Sequence, residues 1–363
     1  MRYILLILVF IRPLISSLAF KEANLVYTAC LFVFLALWII LKGVRQERPA
    51  SERLAIFTFL CALCLSIIFS QNKLISLQDS YKYTAAFLLF FVTASLPKKD
   101  KLLLIRVLLF SGLIISILAV YQYFFGIKHT LDYILKNSLS TPFALDLLES
   151  KRVFFPFVTP NILGGYLAMI LPLSFIYKDK YFFIALLLLA ILLTKSLGAL
   201  SSLLLAIIIY LHLEKKIDKR KIIFLFLLSL AIGLIFILRS AGVKQHLGPF
   251  FSVSERISYW KDAWKIILQY PLSGVGIGNF SLAHSRYAHN SYLQLWAETG
   301  IFGLAAFFWM TARIIKAGLT NKVDYTSVVL SAAAAFLIHN IFDFSFFLPE
   351  TNLIWWAILG LLL

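Results

Sequence analysis

Residues 181–213 read YFFIALLLLAILLTKSLGALSSLLLAIIIYLHL, and Lys195 is the only formally charged side chain among them. A helix of a soluble protein keeps one polar face, so a stretch that is apolar all round belongs in a deep core or a bilayer. Thr194-Lys195-Ser196 interrupts it near the middle. The spacing therefore predicts two helices, 181–194 and 197–213, joined by a short turn. A spanning helix takes about 20 apolar residues, and shorter ones are tolerated within a bundle.

The same pattern extends in both directions. Apolar runs cover residues 3–20, 23–41, 54–70, 83–96, 102–125 and 162–177 before this stretch, and 222–238, 300–315, 325–341 and 351–363 after it. The expected fold is an all-α polytopic membrane protein with about twelve transmembrane helices. Composition points the same way: 61% of the 363 residues are hydrophobic and 14% charged, with mean hydropathy +0.90. Soluble domains lie near 45–50% apolar and about 25% charged. Met1 to Phe20 does not read as a cleaved signal, because Arg12-Pro13 interrupts it and no small-residue cleavage site follows. Cys30, Cys61 and Cys64 all fall inside apolar runs, which suits small core residues and indicates no disulfide framework.

A net charge of +17 would suggest nucleic acid in a soluble protein. Here the basic residues cluster in short breaks between apolar runs, which favours a membrane topology signal and no nucleic-acid partner. One set of breaks holds Lys42, Arg45, Arg48 and Arg53, then Lys98, Lys99 and Lys101, then Lys178 and Lys180. It continues with Lys215, Lys216, Lys219, Arg220 and Lys221, and ends with Arg313, Lys316 and Lys322. These breaks are expected to face the cytoplasm, as are both termini. Two long segments, Gly126 to Asn161 and Arg239 to Thr299, then face the periplasm; loops of this length are usually functional.

The second long segment is the richer. Ser252-Val-Ser-Glu255 has a capping-box pattern, and Ile257, Trp260, Trp264 and Ile267 follow at helical spacing. This predicts an amphipathic helix lying in the outer interface with its tryptophans at headgroup depth. A glycine-rich turn from Tyr270 to Phe280 leads into His284-Ser-Arg286-Tyr-Ala-His289-Asn290. A helix then runs through Glu298 until Gly300 starts the next span.

Several side chains here suit chemistry on a lipid-linked phosphate. An imidazole near neutral pKa, His289, can take a proton from a hydroxyl, and His284 and Asn290 are supporting candidates. The plainer reading of either histidine is an exposed loop residue. Arg256 and Arg286 offer rigid donor forks matched to phosphate oxygens, although an interfacial arginine also binds ordinary headgroups. Lys195 is either a further phosphate contact or a snorkelling lysine, and Arg239 reads as a headgroup anchor. Asn161, after Pro160, either caps the helix that follows or touches substrate. Gly274, Gly276 and Gly278 either gather amides around an anion or form a tight turn. His339, Asn340 and Asp343 are either functional intramembrane polar groups or a structural hydrogen-bonded set. No Walker A loop and no clustered Asp-x-Asp acids occur, which favours a reaction without cofactor or metal, with cations supplied by arginine and lysine.

These residues, taken together, resemble the O-antigen ligase family. The resemblance rests on Arg256 with Trp260 and Ala263, on Pro271 with Gly274, Gly276, Gly278 and Phe280, and on His289-Asn290 with Ala297-Glu298-Thr-Gly300 and Gly303. Pro160-Asn161, Leu171-Pro172, Leu193-Thr194-x-Ser196, and His339 with Asp343 and Pro349 are similar to further landmarks. The resemblance spans roughly 155–355, which divides the chain into N-terminal transmembrane helices (1–125) and an O-antigen ligase-like region (126–363). It implies a metal-independent glycosyltransferase of the bacterial inner membrane, with its active site facing the periplasm. Such an enzyme passes a glycan from an undecaprenyl-diphosphate carrier to an acceptor hydroxyl on lipid A-core or another glycan, among membrane lipids. His289 matches the family's loop histidine and Arg256 its loop arginine. The family often has arginine directly after the Thr-x-Ser pattern, where this chain has Leu197, and Lys195 is the nearest substitute. An O-antigen or exopolysaccharide polymerase of the same family fits the residues as well as a ligase. A polysaccharide or lipid transporter is a further alternative, although it predicts internal repeats, and none is visible.

Overall fold

Each of the twelve apolar runs holds a helix in the computed structural model, although the run 3–20 is helical only as far as residue 14; the structure describes residues 1–43, 49–138, 141–215, 219–240, 248–283 and 285–363. Among these no strand occurs. The first half of the chain forms α1 (Arg2–Ile11), α2 (Lys21–Lys42), α3 (Ala50–Ile68), α4 (Lys73–Asp79), α5 (Tyr81–Ala94) and α6 (Lys98–Tyr121). Helix α6 passes through a wide turn at Gln122–Gly126 into α7 (Ile127–Lys136), and α8 (Pro142–Glu149) follows. The second half forms α9 (Pro160–Ile170), α10 (Tyr181–Thr194), α11 (Leu197–Glu214), α12 (Lys219–Ser240), α13 (Pro249–Gln269), α14 (Ser291–Thr320), α15 (Thr326–His339) and α16 (Pro349–Gly360).

Six helical stretches are long and apolar enough to cross a membrane by length and composition: α2, α3, the continuous Lys98–Lys136 stretch, α11, α12 and α14. The expectation of about twelve spans is met only to that extent, because the other apolar helices are shorter. Helix α16 shows the reason. Its run looks like a span, yet the helix has 12 residues, about 18 Å at 1.5 Å each, and every one of them is buried. Close packing makes room for it: a Cβ on Gly360 would lie 2.0 Å from the Thr93 hydroxyl on α5. Helix α12 is the opposite case, with Leu228 its only buried residue.

Many of the basic breaks meet at one end of the bundle. Arg2 pairs with Asp100 at 3.2 Å and Lys98 with Asp324 at 2.9 Å, while Arg313 hydrogen-bonds Ser51. Arg45, Arg48 and Lys216 lie outside the described residues. Helix α14 runs from this end, at Thr320, to the opposite one, at Ser291.

Near its start α14 is broken at Gly300 (φ 68°, ψ 178°). The Pro271–Gly276 turn clasps the break: Ile301 N donates to Pro271 O (2.9 Å), Val275 N to Ala297 O (2.8 Å) and Gly276 N to Glu298 O (3.0 Å). A Cβ at Gly300 would lie 1.8 Å from the Leu272 carbonyl oxygen. Gly300→Ala is therefore expected to cost roughly 2–5 kcal/mol, from left-handed backbone strain plus overpacking. The check is the thermal midpoint of the purified variant, which should fall by several degrees; an unchanged midpoint would contradict the clasp.

Helix α13 forms as expected but starts earlier, at Pro249, so Ser252 and Glu255 lie inside it and do not box its end. Proline at the first turn, where no amide bond is lost, sets the true start. Ala263 and Ile267 are buried against the protein, whereas Ile257 and Trp264 are exposed.

Candidate active site

The site is built where α14 begins and α15 ends. Ser291 N donates to Asn340 O (2.9 Å), and Ser291 Oγ donates to Asn340 Oδ1 (2.6 Å) and Asp343 O (3.0 Å). Asn290 caps α14, its Oδ1 accepting from Tyr292 N (3.0 Å) and Leu293 N (3.1 Å). With that cap fixed, His289 takes the left-handed conformation (φ 52°), a region in which histidine is enriched among non-glycine residues. Its ring stacks on Tyr259 of α13 (centroids 5.4 Å, 23°) and meets Phe344 edge-on (4.7 Å, 85°).

His289 opens into a cleft of about 640 Å³. Three guanidiniums from separate segments line it: Arg152 from the α8–α9 connection, Arg239 from the end of α12 and Arg256 from α13. Arg256 donates from NH1 to Ser252 Oγ (2.8 Å), while its Nε is buried with no hydrogen-bond partner among the described residues. Arg152 donates from Nε to Thr194 O (2.9 Å) and from NH2 to Asn161 Oδ1 (3.1 Å). Its loop is pinned on both sides: Phe154 N and Phe155 N donate to Gln122 Oε1, and Val153 N to Leu193 O. Asp146, Glu255 and Asp343 also line the cleft. Glu255 accepts from the Tyr259 hydroxyl (3.1 Å), and Asp343 Oδ2 accepts from His339 Nε2 (3.0 Å) and Ser345 Oγ (2.5 Å). A smaller chamber of about 220 Å³, walled by Phe236, Phe342 and Leu197, adjoins the cleft at Asn161, Arg239 and Arg256.

Burial sets the protonation states. It lowers the His289 pKa to about 4, with Arg256 adding to the shift and Asp343 opposing it, so the imidazole is neutral at pH 7. Burial, with Arg239 and Arg256 nearby, lowers Arg152 to about 9, which leaves it cationic. Arg256 is lowered by burial too, against the pull of Asp343. Burial alone would raise Asp343, but the hydrogen bonds and charge of His339 and the Ser345 bond outweigh it and hold the carboxyl at about 2. The arrangement therefore offers fixed cations beside a neutral ring nitrogen: an anion can be held while a hydroxyl donates to His289.

Of the residues singled out in the sequence, His289, Arg256 and Asn161 line this cleft together. Asn161 does not cap α9; Thr159 does, and Asn161 accepts instead from Arg152 and Ser196. Asn290 is a helix cap. Lys195 is not among the residues lining the cleft: its Nζ donates to Ser150 O (2.7 Å), and its carbonyl accepts from Arg239. Arg286 lies in a different cavity, and His284 lies outside the described residues. The glycine amides are taken up within the protein: Gly274 N donates to Tyr270 O, Gly276 N to Glu298 O and Gly278 N to Glu298 Oε2. Sequence reasoning missed Arg152, whose only signal was a place in the first long segment, and took Arg239 for a headgroup anchor.

Among the described residues, no three His, Cys, Asp or Glu side chains group as metal ligands. Comparison with curated proteins gives no match. Residues 182–308, the segment that carries both Arg256 and His289, match the family described as O-Antigen ligase.

Proposed function

We propose that the chain transfers a glycan from an undecaprenyl-diphosphate-linked donor to an acceptor hydroxyl, at the periplasmic face of a bacterial inner membrane and without a metal ion. The observation that carries this reading is the convergence of Arg152, Arg239 and Arg256 on one cleft with a neutral His289. The guanidiniums hold the donor diphosphate, and the adjoining chamber beside Phe236 and Leu197 receives the start of its lipid chain. The acceptor oxygen attacks the anomeric carbon from the side opposite the diphosphate, forming the new glycosidic bond as the carbon–oxygen bond to phosphate breaks. Its proton passes to His289, and the arginines stabilise the charge gained by the departing lipid diphosphate. The anomeric centre inverts. Lipid A-core as acceptor makes the chain a ligase; a second lipid-linked repeat makes it a polymerase.

The test is transfer by purified protein from a lipid-diphosphate glycan to each acceptor in turn, with EDTA present. Product with either acceptor supports the reading; no product with any acceptor would sink it in favour of transport. The pH profile gives a second check. His289 acts as a base only when neutral, so activity is present above its pKa and lost as pH falls through it. In the free protein that limb of kcat/KM is expected near pH 4, not near the ordinary 6.5. Bound diphosphate offsets the arginine charges and favours the imidazolium, so the limb of kcat should lie at higher pH. Coincident limbs near 6.5 would show that His289 does not sense the cluster.

A further inference from the structure

A second cavity, of about 560 Å³, opens on the other side of a single pair of rings. Tyr287 lines this cavity and Phe344 lines the His289 cleft; their rings stack with centroids 4.2 Å apart and planes 9° from parallel. One rim is cationic, with Lys21 from the start of α2, Lys82 from α5 and Arg286 from the loop before α14. Among the described residues Asp79 is the only acid on that lining, paired with Lys82 at 2.7 Å, so three cations against one carboxylate leave an excess of two positive charges. Arg286 is exposed, lies 5.9 Å from the centre of the Tyr287 ring, and makes no hydrogen bond or ion pair to the described residues. On the floor, Asn24 is 7% exposed; its Oδ1 accepts from buried Arg12 (2.9 Å), and its amide nitrogen donates to no described residue.

The opposite wall is apolar, formed by Leu18, Leu25, Ala29 and Phe32. It continues into the exposed face of α2, where Leu25 is 71% and Val33 61% exposed. A soluble anion needs the cations but has no use for such a wall. An amphiphile uses both, with its head at the cations and its chains along α2. Arg286 and His289 are three residues apart, so their backbones lie within roughly 11 Å of each other. A short oligosaccharide bridges that distance.

We propose that this second cavity is the acceptor site: it holds an anionic, lipid-anchored glycan by its charged head group at Arg286, Lys82 and Lys21, and presents a hydroxyl past the Tyr287–Phe344 pair to His289. The acceptor role rests on the transfer reading above; the binding of an anionic amphiphile does not. The full-length purified protein is titrated with dioctanoyl phosphatidic acid, dioctanoyl phosphatidylcholine and inorganic phosphate. Phosphatidic acid is expected to bind about tenfold more tightly than either of the others, and Arg286→Glu to weaken it about tenfold. An affinity unchanged in Arg286→Glu overturns the site, and inorganic phosphate binding as tightly as phosphatidic acid overturns the lipid occupant. In the transfer assay, Arg286→Glu should raise the KM for an anionic acceptor about tenfold more than the KM for the donor, with partial recovery in Arg286→Lys. Equal changes in both would overturn the acceptor role. A wild-type protein that binds phosphatidic acid in this way but transfers no glycan would refute the transferase reading and leave the binding site standing.

Discussion

Replacing His289 is expected to lower glycan transfer by about 10²–10⁴-fold while donor binding stays within a few fold, because a positioned base contributes on that scale. The choice of substitution matters. His289 sits at φ 52°, a left-handed conformation that alanine has no polar side chain to support. Asparagine tolerates that conformation, which makes His289→Asn the cleaner variant and His289→Ala its companion. Single-turnover transfer is measured beside equilibrium binding of the lipid-diphosphate donor at matched folded protein. Loss of turnover with binding retained in His289→Asn assigns the proton transfer to the imidazole. Wild-type turnover in that variant would move the base elsewhere, and Asp343 Oδ1, buried without a hydrogen-bond partner among the described residues, would be the next group to examine.

Arg152 carries the second large effect. Its guanidinium is buried and fixed by Thr194 O and Asn161 Oδ1, so it meets a diphosphate already oriented. Arg152→Met is expected to weaken donor binding by about 2–4 kcal/mol, or roughly 30- to 1,000-fold, the range for losing one member of a buried charged contact. Arg152→Lys keeps the charge without the planar fork and should fall between. Lys195→Ala is the contrast: its ammonium is turned to Ser150 O, and its removal should change donor affinity less than threefold or so. A donor affinity in Arg152→Met equal to that of Lys195→Ala would remove Arg152 from the phosphate site. The melting midpoint of each variant separates this from simple loss of folding, since Arg152 also ties its loop to the end of α10.

Much of the site was legible because its parts are close in sequence. Arg256 and His289 are carried by one segment, whereas Asn290, read as a supporting residue, is the cap of α14. Arg152 was not legible, because its place depends on Gln122 and Leu193, which reach the loop from other helices. Arg286 was misjudged for a geometric reason. Three residues from His289 in the same loop, it follows the chain to the far side of the Tyr287–Phe344 pair, and no spacing rule gives that direction. Hydropathy located the helices but not their neighbours: the central stretches of α12 and α16 are both apolar, yet α12 buries a single residue while α16 is enclosed. Apolarity on every side is the same instruction for lipid and for a protein interior.

The enclosed position of α16 also orders events in time. Arg12, 1% exposed, pairs with Glu350 at 3.3 Å, and these two residues stand 338 apart in the chain. As the polypeptide emerges from the ribosome, the arginine is made 338 residues before its carboxylate. Until then the cation must stay hydrated or at the lipid headgroups, because an unpaired charge in the bilayer is costly. The slot between α5 and α15 must likewise remain open to admit a helix that arrives after both. The centre of this bundle is thus closed only after α1 to α15 have been made, and until α16 arrives those helices form a waiting, unsealed assembly.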